Sequence, residues 1–259
     1  MLIDAHAHLH QYGDDLDSVL QEIERLKILT VAVSMDAASY ERTLEIAQRC
    51  ELVLPVFGIH PWNAPACVGR LTELSAAVAQ SPMLGEIGLD HHFIKDPSSY
   101  PAQSEVFEFF LDAASAQDKI VNVHSKGAER DVLELLRRSR IRRTIIHWYS
   151  GPLDVFRDFA SDGAYFTIGI QALRSKHMQK IARDVPADRI LLETDNPGGY
   201  EWMAGSPGMP SLLGRVAETV AALRATTADD LVETVRANFL RLIGDDPRLE
   251  KTRVRLLGR

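Results

Sequence analysis

The sequence predicts an α/β fold, a (β/α)8 TIM barrel formed by a single domain. Short apolar segments rich in Val, Ile and Leu alternate with segments of helical period along the chain. There are eight such apolar segments, and each strand–helix repeat has about the size of a βαβ unit. The chain has 259 residues, a length that one α/β barrel accommodates. We therefore expect one domain over 1–259.

The predicted strands are short and apolar, as expected of parallel strands that are buried on both faces. The segment 28–34, Ile-Leu-Thr-Val-Ala-Val-Ser, is rich in β-branched residues and typifies them. The eight strands are predicted over 2–8, 28–34, 52–59, 83–89, 119–124, 143–148, 165–170 and 190–195.

The predicted helices carry apolar residues at helical spacing. In 15–27 these lie at positions 16, 19, 20, 23 and 26, behind an acidic start, and in 101–118 Pro101 lies near the first turn. The helices are predicted over 15–27, 39–50, 69–80, 101–118, 129–138, 153–161, 176–184, 211–223 and 228–243, with 248–259 as a peripheral tail. The alternative, an open doubly wound sheet, would carry a G-x-G-x-x-G sequence after an early strand, and the first βα turn has none.

The composition is that of a soluble globular protein, with 46% hydrophobic and 25% charged residues. The formal net charge of −7 provides no broad basic surface for nucleic acid or membranes. Cys50 and Cys67 form no C-x-x-C motif, and neither a signal peptide nor a run of about 18 apolar residues occurs. We therefore expect a cytoplasmic protein.

The N-terminal strand ends in the pattern Asp4-Ala5-His6-Ala7-His8. Side chains alternate along a strand, so residues 4, 6 and 8 point to one face. Two imidazoles near the tip of that face form a pair of potential metal ligands, with Asp4 one layer deeper. On its own the pattern also fits histidines that pack in a core or lie on the surface.

Further polar residues lie toward the C-terminal ends of other predicted strands. A barrel forms its active site at that end, so distant parts of the sequence would converge there. One polar residue in a strand has a simple packing explanation. Six of them in apolar strands, four being His, do not. The six are His6, His8, Glu86, His124, His147 and Asp195.

Four His and two carboxylates are enough for two divalent metal ions. Catalytic zinc sites use about three protein ligands each, and a shared carboxylate makes the number sufficient. Glu86 lies on the strand between the two ligand sets and is the natural bridge. Two-metal sites suit phosphate ester hydrolysis. Because the ligands are nitrogen and oxygen without thiolate, the sequence leaves the metal open among Zn, Mn, Mg, Co and Ni.

Six motifs, in this order and over nearly the whole chain, resemble those of TatD-family metal-dependent hydrolases (TatD-like deoxyribonucleases), members of the amidohydrolase-like superfamily. The motifs are Asp4-Ala-His-Ala-His8, Gly58-Ile-His-Pro61, Gly85-Glu-Ile-Gly-Leu-Asp90, Val123-His-Ser-Lys126, His147-Trp-Tyr-Ser-Gly151 and Glu193-Thr-Asp-Asn-Pro197. The resemblance implies that one metal is held by His6, His8, Glu86 and Asp195. It implies that the other is held by Glu86, His124 and His147. It also implies that Asp195 positions or deprotonates the attacking water, which makes Asp195 and Glu86 the catalytic carboxylates.

The sequence departs from the family pattern next to two of these ligands. Lys126-Gly127 follow Ser125 where the family usually has an acidic residue, and Trp148-Tyr149 replace a usual Cys-Phe pair after His147. Both departures keep the ligands. They change the expected wall of the pocket, and therefore bear on the substrate more than on the chemistry.

Other polar residues near the strand ends have two interpretations each. His60 could contact a substrate phosphate, or be a loop histidine fixed by Pro61. Trp62 could stack on a base, or pack on its neighbours at the rim. Asp4 and Glu193 lie one layer deeper than the ligands, where we expect them to support those ligands. The arginine-rich segment 137–143 precedes strand six, at the opposite end of the barrel, and is expected to be a solvated loop.

The sequence therefore predicts a dinuclear metal hydrolase that cleaves phosphodiesters, and a deoxyribonuclease is the specific activity that we expect. We expect DNA as its substrate, in short or single-stranded form, and neither a membrane nor an obligate protein partner. One alternative is a C–N hydrolase or deaminase on the same barrel. Another is a barrel without catalysis that serves as a partner protein, against which the complete ligand set argues.

Overall fold

The structure, a computed structural model, describes residues 1–258 and alternates strands with helices throughout. Apart from β1 and β3, every strand residue is buried, as predicted for parallel strands in the interior of an α/β protein. The strands are β1 (Leu2–Ala7), β2 (Ile28–Val33), β3 (Val53–Val56), β4 (Leu84–Gly88), β5 (Val121–His124), β6 (Thr144–Ile146), β7 (Tyr165–Ile168) and β8 (Ile190–Leu192).

The nine predicted helices are present in the predicted order, with short 3₁₀ turns between them. The helix predicted over 69–80 begins only at Ser75, and the helices Gly198–Ala204 and Glu250–Leu256 were not predicted. Among residues 1–258, no helix combines the length and the apolar character that crossing a membrane requires. The α-helices are α1 (Leu16–Leu26), α2 (Ala37–Arg49), α3 (Ser75–Gln80), α4 (Tyr100–Gln117), α5 (Glu129–Arg138), α6 (Leu153–Ser161), α7 (Lys176–Asp184), α8 (Gly198–Ala204), α9 (Leu212–Leu223), α10 (Ala228–Ile243) and α11 (Glu250–Leu256).

Several strands end earlier than the sequence predicts, and two of them, β6 and β8, carry predicted ligands just beyond their ends. β8 ends at Leu192 and β6 at Ile146, although their apolar runs suggested continuation to 195 and 148. In both cases the following residues include a left-handed backbone conformation, at Asp195 (φ 53°) and Trp148 (φ 41°). Such a conformation is incompatible with continued strand pairing. Two of the predicted ligands, His147 and Asp195, therefore lie just after their strands and not within them.

The chain forms two compact units. The first consists of Met1–Ala32, Arg42–Leu54 and the chain from Phe166 onward, and the second consists of Val33–Glu41 and Pro55–Tyr165. The single domain over 1–259 stays a prediction. In each unit the paired strands are parallel and consecutive in the chain: β1 with β2 and β7 with β8 in the first, β4 with β5 and β5 with β6 in the second.

The core of the first unit is formed around one face of α1. Leu16, Val19, Leu20 and Ile23 are buried together, at the spacing that predicted this helix. They pack against the turn after β1, where the hydroxyl of buried Tyr12 donates to the carbonyl of Gly208 at 2.6 Å. The chain segments that follow β1 and β8 are thereby fixed together inside the first unit.

The C-terminal segment, expected to be a peripheral tail, includes the helix α11 of the first unit. Leu249, Thr252 and Leu256 are buried. The guanidinium of Arg255 lies 2.8 Å from the carboxylate of Glu51. Three side chains of this segment therefore contribute to the packed interior of the unit.

Close approach of two backbones positions the ligand-bearing strand in the second unit. A Cβ atom at Gly88 (φ 143°) would lie 1.9 Å from the carbonyl oxygen of His124, and one at Gly85 would lie 2.7 Å from Cβ of Asn122. Gly88 pairs directly with His124 in the β4–β5 register. The two strands can therefore pair at this spacing only because β4 carries glycines on both sides of Glu86.

Replacing Gly88 with alanine is expected to lower the free energy of unfolding by about 3 kcal/mol or more, because the methyl group overlaps a backbone carbonyl at a positive φ. Urea denaturation followed by circular dichroism measures the change. Gly214 in α9 has no atom within 4 Å of an added Cβ, so Gly214→Ala is the matched control. The control should stabilise by up to about 1 kcal/mol. Equal stability of the two variants would contradict the packing argument.

Candidate metal centre

The first group of potential ligands lies entirely in the first unit and consists of His6, His8 and Asp195, hereafter the first donor group. Nε2 of His6 lies 3.4 Å from Nε2 of His8. Oδ1 of Asp195 lies 3.3 Å from Nε2 of His8 and 3.6 Å from Nε2 of His6. The alternation along β1 places both imidazoles on one face, as the sequence predicted. Three ligand atoms thus lie close enough to hold one cation.

The backbone fixes the carboxylate of Asp195 in this group. Asp195 N donates to the carbonyl of His6 at 3.0 Å, and Gly199 N donates to the carbonyl of Asp195 at 2.8 Å. Its φ of 53° is in the left-handed region, which Asp tolerates better than most residues. The side chain of Asp195 is 19% exposed and that of His6 fully buried, so the group is open to solvent on the aspartate side.

Asp4 supports this group from below. Its carboxylate accepts hydrogen bonds from the backbone N of Thr194 at 2.9 Å and from the Thr194 hydroxyl at 2.6 Å. Burial raises the pKa of Asp4 to about 7, although the bonds from Thr194 act in the opposite direction. Asp4 therefore ties the end of β8 to β1 immediately beneath His6. Glu193, predicted to support the ligands as well, is buried against Gly169.

Asp4→Asn is expected to weaken metal binding at the first donor group by about 10–100-fold, the range typical of losing a residue that orients ligands. The amide presents only one acceptor atom, so one of the two bonds from Thr194 is lost. Competition with a chromogenic chelator measures the affinity. Thr194→Val removes only the hydroxyl donor and should have a smaller effect. An effect of Thr194→Val as large as that of Asp4→Asn would contradict this role of the carboxylate.

The second group of potential ligands surrounds Glu86 in the second unit and is hereafter the second donor group. Oε1 of Glu86 lies 2.8 Å from Nδ1 of His124, 3.2 Å from Nε2 of His147 and 3.4 Å from Nε2 of His60. The side chain of Glu86 is only 2% exposed. The sequence predicted Glu86, His124 and His147 as ligands and His60 as a substrate contact. The structure brings all four together.

Asp90 also belongs to this group, and sequence reasoning missed it. Its Oδ2 lies 3.1 Å from Nε2 of His124 and accepts a hydrogen bond from the indole Nε1 of Trp62 at 2.7 Å. Burial raises the pKa of Asp90, but the contacts with His124 and Trp62 outweigh it and hold the pKa well below its usual range. Burial lowers the pKa of His124, yet the contacts with Asp90 and Glu86 raise it overall. His124 is thus held between two carboxylates.

The two departures from the family pattern have clear local structures. The ammonium of Lys126 donates to the Ser150 hydroxyl, and burial lowers the pKa of this lysine. Gly127 has a φ of 75°, and a Cβ there would lie 2.9 Å from the backbone N of His92. A larger residue at this position would therefore push away the loop that follows Asp90. Tyr149 is buried and its hydroxyl donates to the carbonyl of Pro152.

Both donor groups are chemically suited to divalent cations. Each offers at least three nitrogen or oxygen atoms within 4.8 Å of one another. This number matches that of catalytic sites that leave a coordination position open. Both cysteines are free thiols, and neither is part of these groups. Imidazole and carboxylate ligands suit Zn, Mn, Co and Ni, and carboxylates also suit Mg.

The chain is similar to known proteins over most of its length. A family model described as TatD related DNase matches residues 3–244. The uncharacterized metal-dependent hydrolase YabD of Bacillus subtilis is 28% identical over 93% of this chain and 98% of its own length. The deoxyribonuclease TATDN3 of Homo sapiens is 27% identical over 93% of this chain and 94% of its own.

Solved structures show the same fold. YjjV, a TatD homologue from Escherichia coli, superposes with a TM-score of 0.84 at 24% identity, over 93% of this chain and 97% of its own. A TatD family hydrolase from Entamoeba histolytica superposes with a TM-score of 0.79 at 17% identity, over 93% and 97%. The predicted fold class and the family resemblance are therefore confirmed. Because the family model covers almost the whole chain, this protein belongs to the TatD related DNase family.

Proposed function

We propose that the protein is a metal-dependent hydrolase that cleaves phosphodiester bonds in DNA, with one divalent cation at each donor group. The observation that carries the proposal is the convergence of three imidazole nitrogens on one buried oxygen of Glu86. Such an arrangement is costly without a purpose, since it buries several polar groups together. The deoxyribonuclease activity named for the human relative supports the choice of a phosphodiester.

The residues of the chain would divide the chemistry between them. When bound, the cations would stabilise negative charge on the phosphoryl oxygens and acidify the attacking water. Asp195, whose carboxylate is partly exposed, would orient that water and accept its proton. Glu86 and Asp90 would hold the imidazole of His124 in one orientation. The imidazole would then not need to reorient during the reaction.

His60 is suited to contact the substrate. Its Nδ1 accepts a hydrogen bond from the backbone N of Trp62 at 3.2 Å. In a neutral imidazole this places the proton on Nε2, which can then donate a hydrogen bond. Nε2 faces the second donor group, 3.4 Å from Glu86. His60 would therefore donate to a phosphate oxygen, as one interpretation of the sequence had it.

The electrostatics favour a small or single-stranded phosphodiester. The net charge of −7 disfavours an extended duplex, whose many phosphates need basic partners. Two bound cations would reverse the sign locally, because bound ions outweigh distant surface charges under salt screening. The alternative, a C–N hydrolase or deaminase, would gain less from this positive centre because its substrates are neutral at the bond that breaks.

The test compares substrate classes after metal removal and reconstitution. EDTA should abolish activity, and Mn or Mg should restore it with about two equivalents bound per chain, one for each donor group. The kcat/KM values are then measured on single-stranded DNA, bis-p-nitrophenyl phosphate, dihydropyrimidines and acyl amides. We expect every phosphodiester to be cleaved faster than every C–N substrate. A faster C–N substrate, or less than one bound metal after reconstitution, would overturn the proposal.

A further inference from the structure

Two large aromatic side chains are exposed beside the second donor group. Trp62 is 46% exposed and Phe93 is 50% exposed. Their ring centroids are 5.9 Å apart with an interplanar angle of 76°, an edge-to-face contact. Exposing such rings to water is unfavourable and often marks a surface that contacts a ligand. We call these two residues the aromatic pair.

The aromatic pair is fixed to the site by one carboxylate. Asp90 accepts the indole N–H of Trp62 at 2.7 Å and the backbone N–H of Phe93 at 2.7 Å. The same carboxylate lies 3.1 Å from Nε2 of His124. The ring of Trp62 and the backbone that carries the ring of Phe93 are therefore held in place before any substrate arrives. Both are bound to the carboxylate that contacts a candidate metal ligand, His124. Loss of side-chain freedom on binding is thereby reduced.

The distance from the aromatic pair to the reacting group is short. The ring of Trp62 lies 4.7 Å from that of His60, and His60 in turn lies 4.8 Å from the ring of His124. A planar group placed on Trp62 would therefore be one side chain away from the phosphate that His60 is suited to contact. In a nucleic acid, the planar group at that separation from a phosphate is the base of an adjoining nucleotide.

We propose that Trp62 and Phe93 form a stacking platform for an unpaired nucleobase that adjoins the scissile phosphate. The inference rests on the proposed phosphodiesterase function and names the substrate class within it. Bases in a duplex are stacked on each other, whereas an unpaired base offers its face to an aromatic side chain. The platform therefore selects single-stranded or frayed ends. Stacking involves the ring face that every base has, so the platform does not discriminate by sequence.

The test uses substrates with a single phosphodiester, so that the flanking bases are unambiguous. Metal-loaded protein is given the thymidine dinucleotide and two analogues that lack either the 5′ or the 3′ base. For the wild-type protein, loss of one of the two bases should lower kcat/KM about tenfold or more, mainly through KM, as expected for one base–aromatic stack. Loss of the other base should have a smaller effect.

Variants separate stacking from support of the site. Phe93→Leu removes a ring but keeps the backbone bond to Asp90, so it should reduce the preference for the base, mainly by raising KM for the substrate that carries the base. Trp62→Leu should abolish the preference, whereas Trp62→Phe keeps an aromatic ring and should retain part of it. Trp202 is an exposed aromatic residue outside the pair, so Trp202→Leu is the matched control and should retain the full preference.

The result that would overturn the inference is equal cleavage of all three dinucleotides by the wild-type protein, or a preference unchanged in both leucine variants. An equal loss of preference in Trp202→Leu would also overturn it. If no dinucleotide is cleaved, the proposed function fails, and binding then tests the platform by itself. Quenching of tryptophan fluorescence by the thymidine dinucleotide should be stronger than by the base-free analogue and should be lost in Trp62→Phe. Equal quenching would refute the platform.

Discussion

Glu86→Gln is expected to lower kcat/KM for phosphodiesters by more than about 100-fold, beyond the 10–100-fold that loss of an indirect partner of a metal costs. The substitution keeps the size of the side chain and removes its charge. Oε1 of Glu86 has three imidazole nitrogens within 3.4 Å, and these would have to surround a neutral amide instead. The second donor group would thereby lose the carboxylate on which its imidazoles converge and would keep only that of Asp90.

Metal analysis, together with steady-state kinetics, measures this effect. The metal content should fall with the activity. EDTA should lower the melting temperature of the wild-type protein and leave that of the variant unchanged. Asp246 is a buried carboxylate paired with Arg248, so Asp246→Asn controls for the loss of a buried charge and should keep its metal. The sequence further predicts that Glu86 serves both ions. If so, Glu86→Ala loses metal at both sites and His124→Ala mainly at one.

Asp195→Asn is expected to lower kcat by about 10²–10⁴-fold with little change in KM, the range typical of removing a general base. The amide cannot accept the proton of the attacking water. Asparagine tolerates the left-handed backbone at φ 53°, so the bond from Asp195 N to His6 can persist. Single-turnover kinetics and metal content should be measured together. A loss of activity that metal excess fully restores would show that Asp195 acts only as a ligand.

Asp195→Ala separates the two contributions of this residue. Alanine removes the carboxylate and is also disfavoured at a positive φ. It should therefore lose as much activity as the asparagine variant and lower the melting temperature as well. Equal melting temperatures for the two variants would mean that the backbone conformation of Asp195 is not strained.

The sequence predicted those features that depend on periodic patterns. Alternation along β1 placed His6 and His8 on one face, and helical spacing in 15–27 placed the apolar residues of α1 in the core. The ordered motifs predicted that Glu86, His124 and His147 would meet. The first two predictions use the spacing of residues within one regular element, and the third uses the resemblance to a family, so none of them needed the course of the loops.

The features that were not predicted from the sequence depend on contacts between loops that are distant in the chain. Asp90 lies after β4, and its role arises because the loop carrying Trp62 comes back within hydrogen-bond distance. Asp90 is the last residue of the motif Gly85-Glu-Ile-Gly-Leu-Asp90, and this could have indicated that it belongs to the site. No pattern in the sequence indicates that it contacts Trp62. The ends of β6 and β8 were missed because left-handed backbone at Trp148 and Asp195 is set by tertiary contacts, whereas the apolar run continues.

The glycines of β4 affect how a mutational scan of this protein should be interpreted. At Gly85 and Gly88 any side chain meets the neighbouring strand, and at Gly58 an added Cβ would lie 2.4 Å from the carbonyl carbon of Gly85. All three positions should therefore tolerate substitution as poorly as Glu86 in a selection for activity. A scan scored by activity alone would therefore assign these glycines to the catalytic centre. Scoring cellular abundance in parallel separates them, because glycine variants should disappear from the soluble pool whereas Glu86 variants should accumulate there as inactive protein.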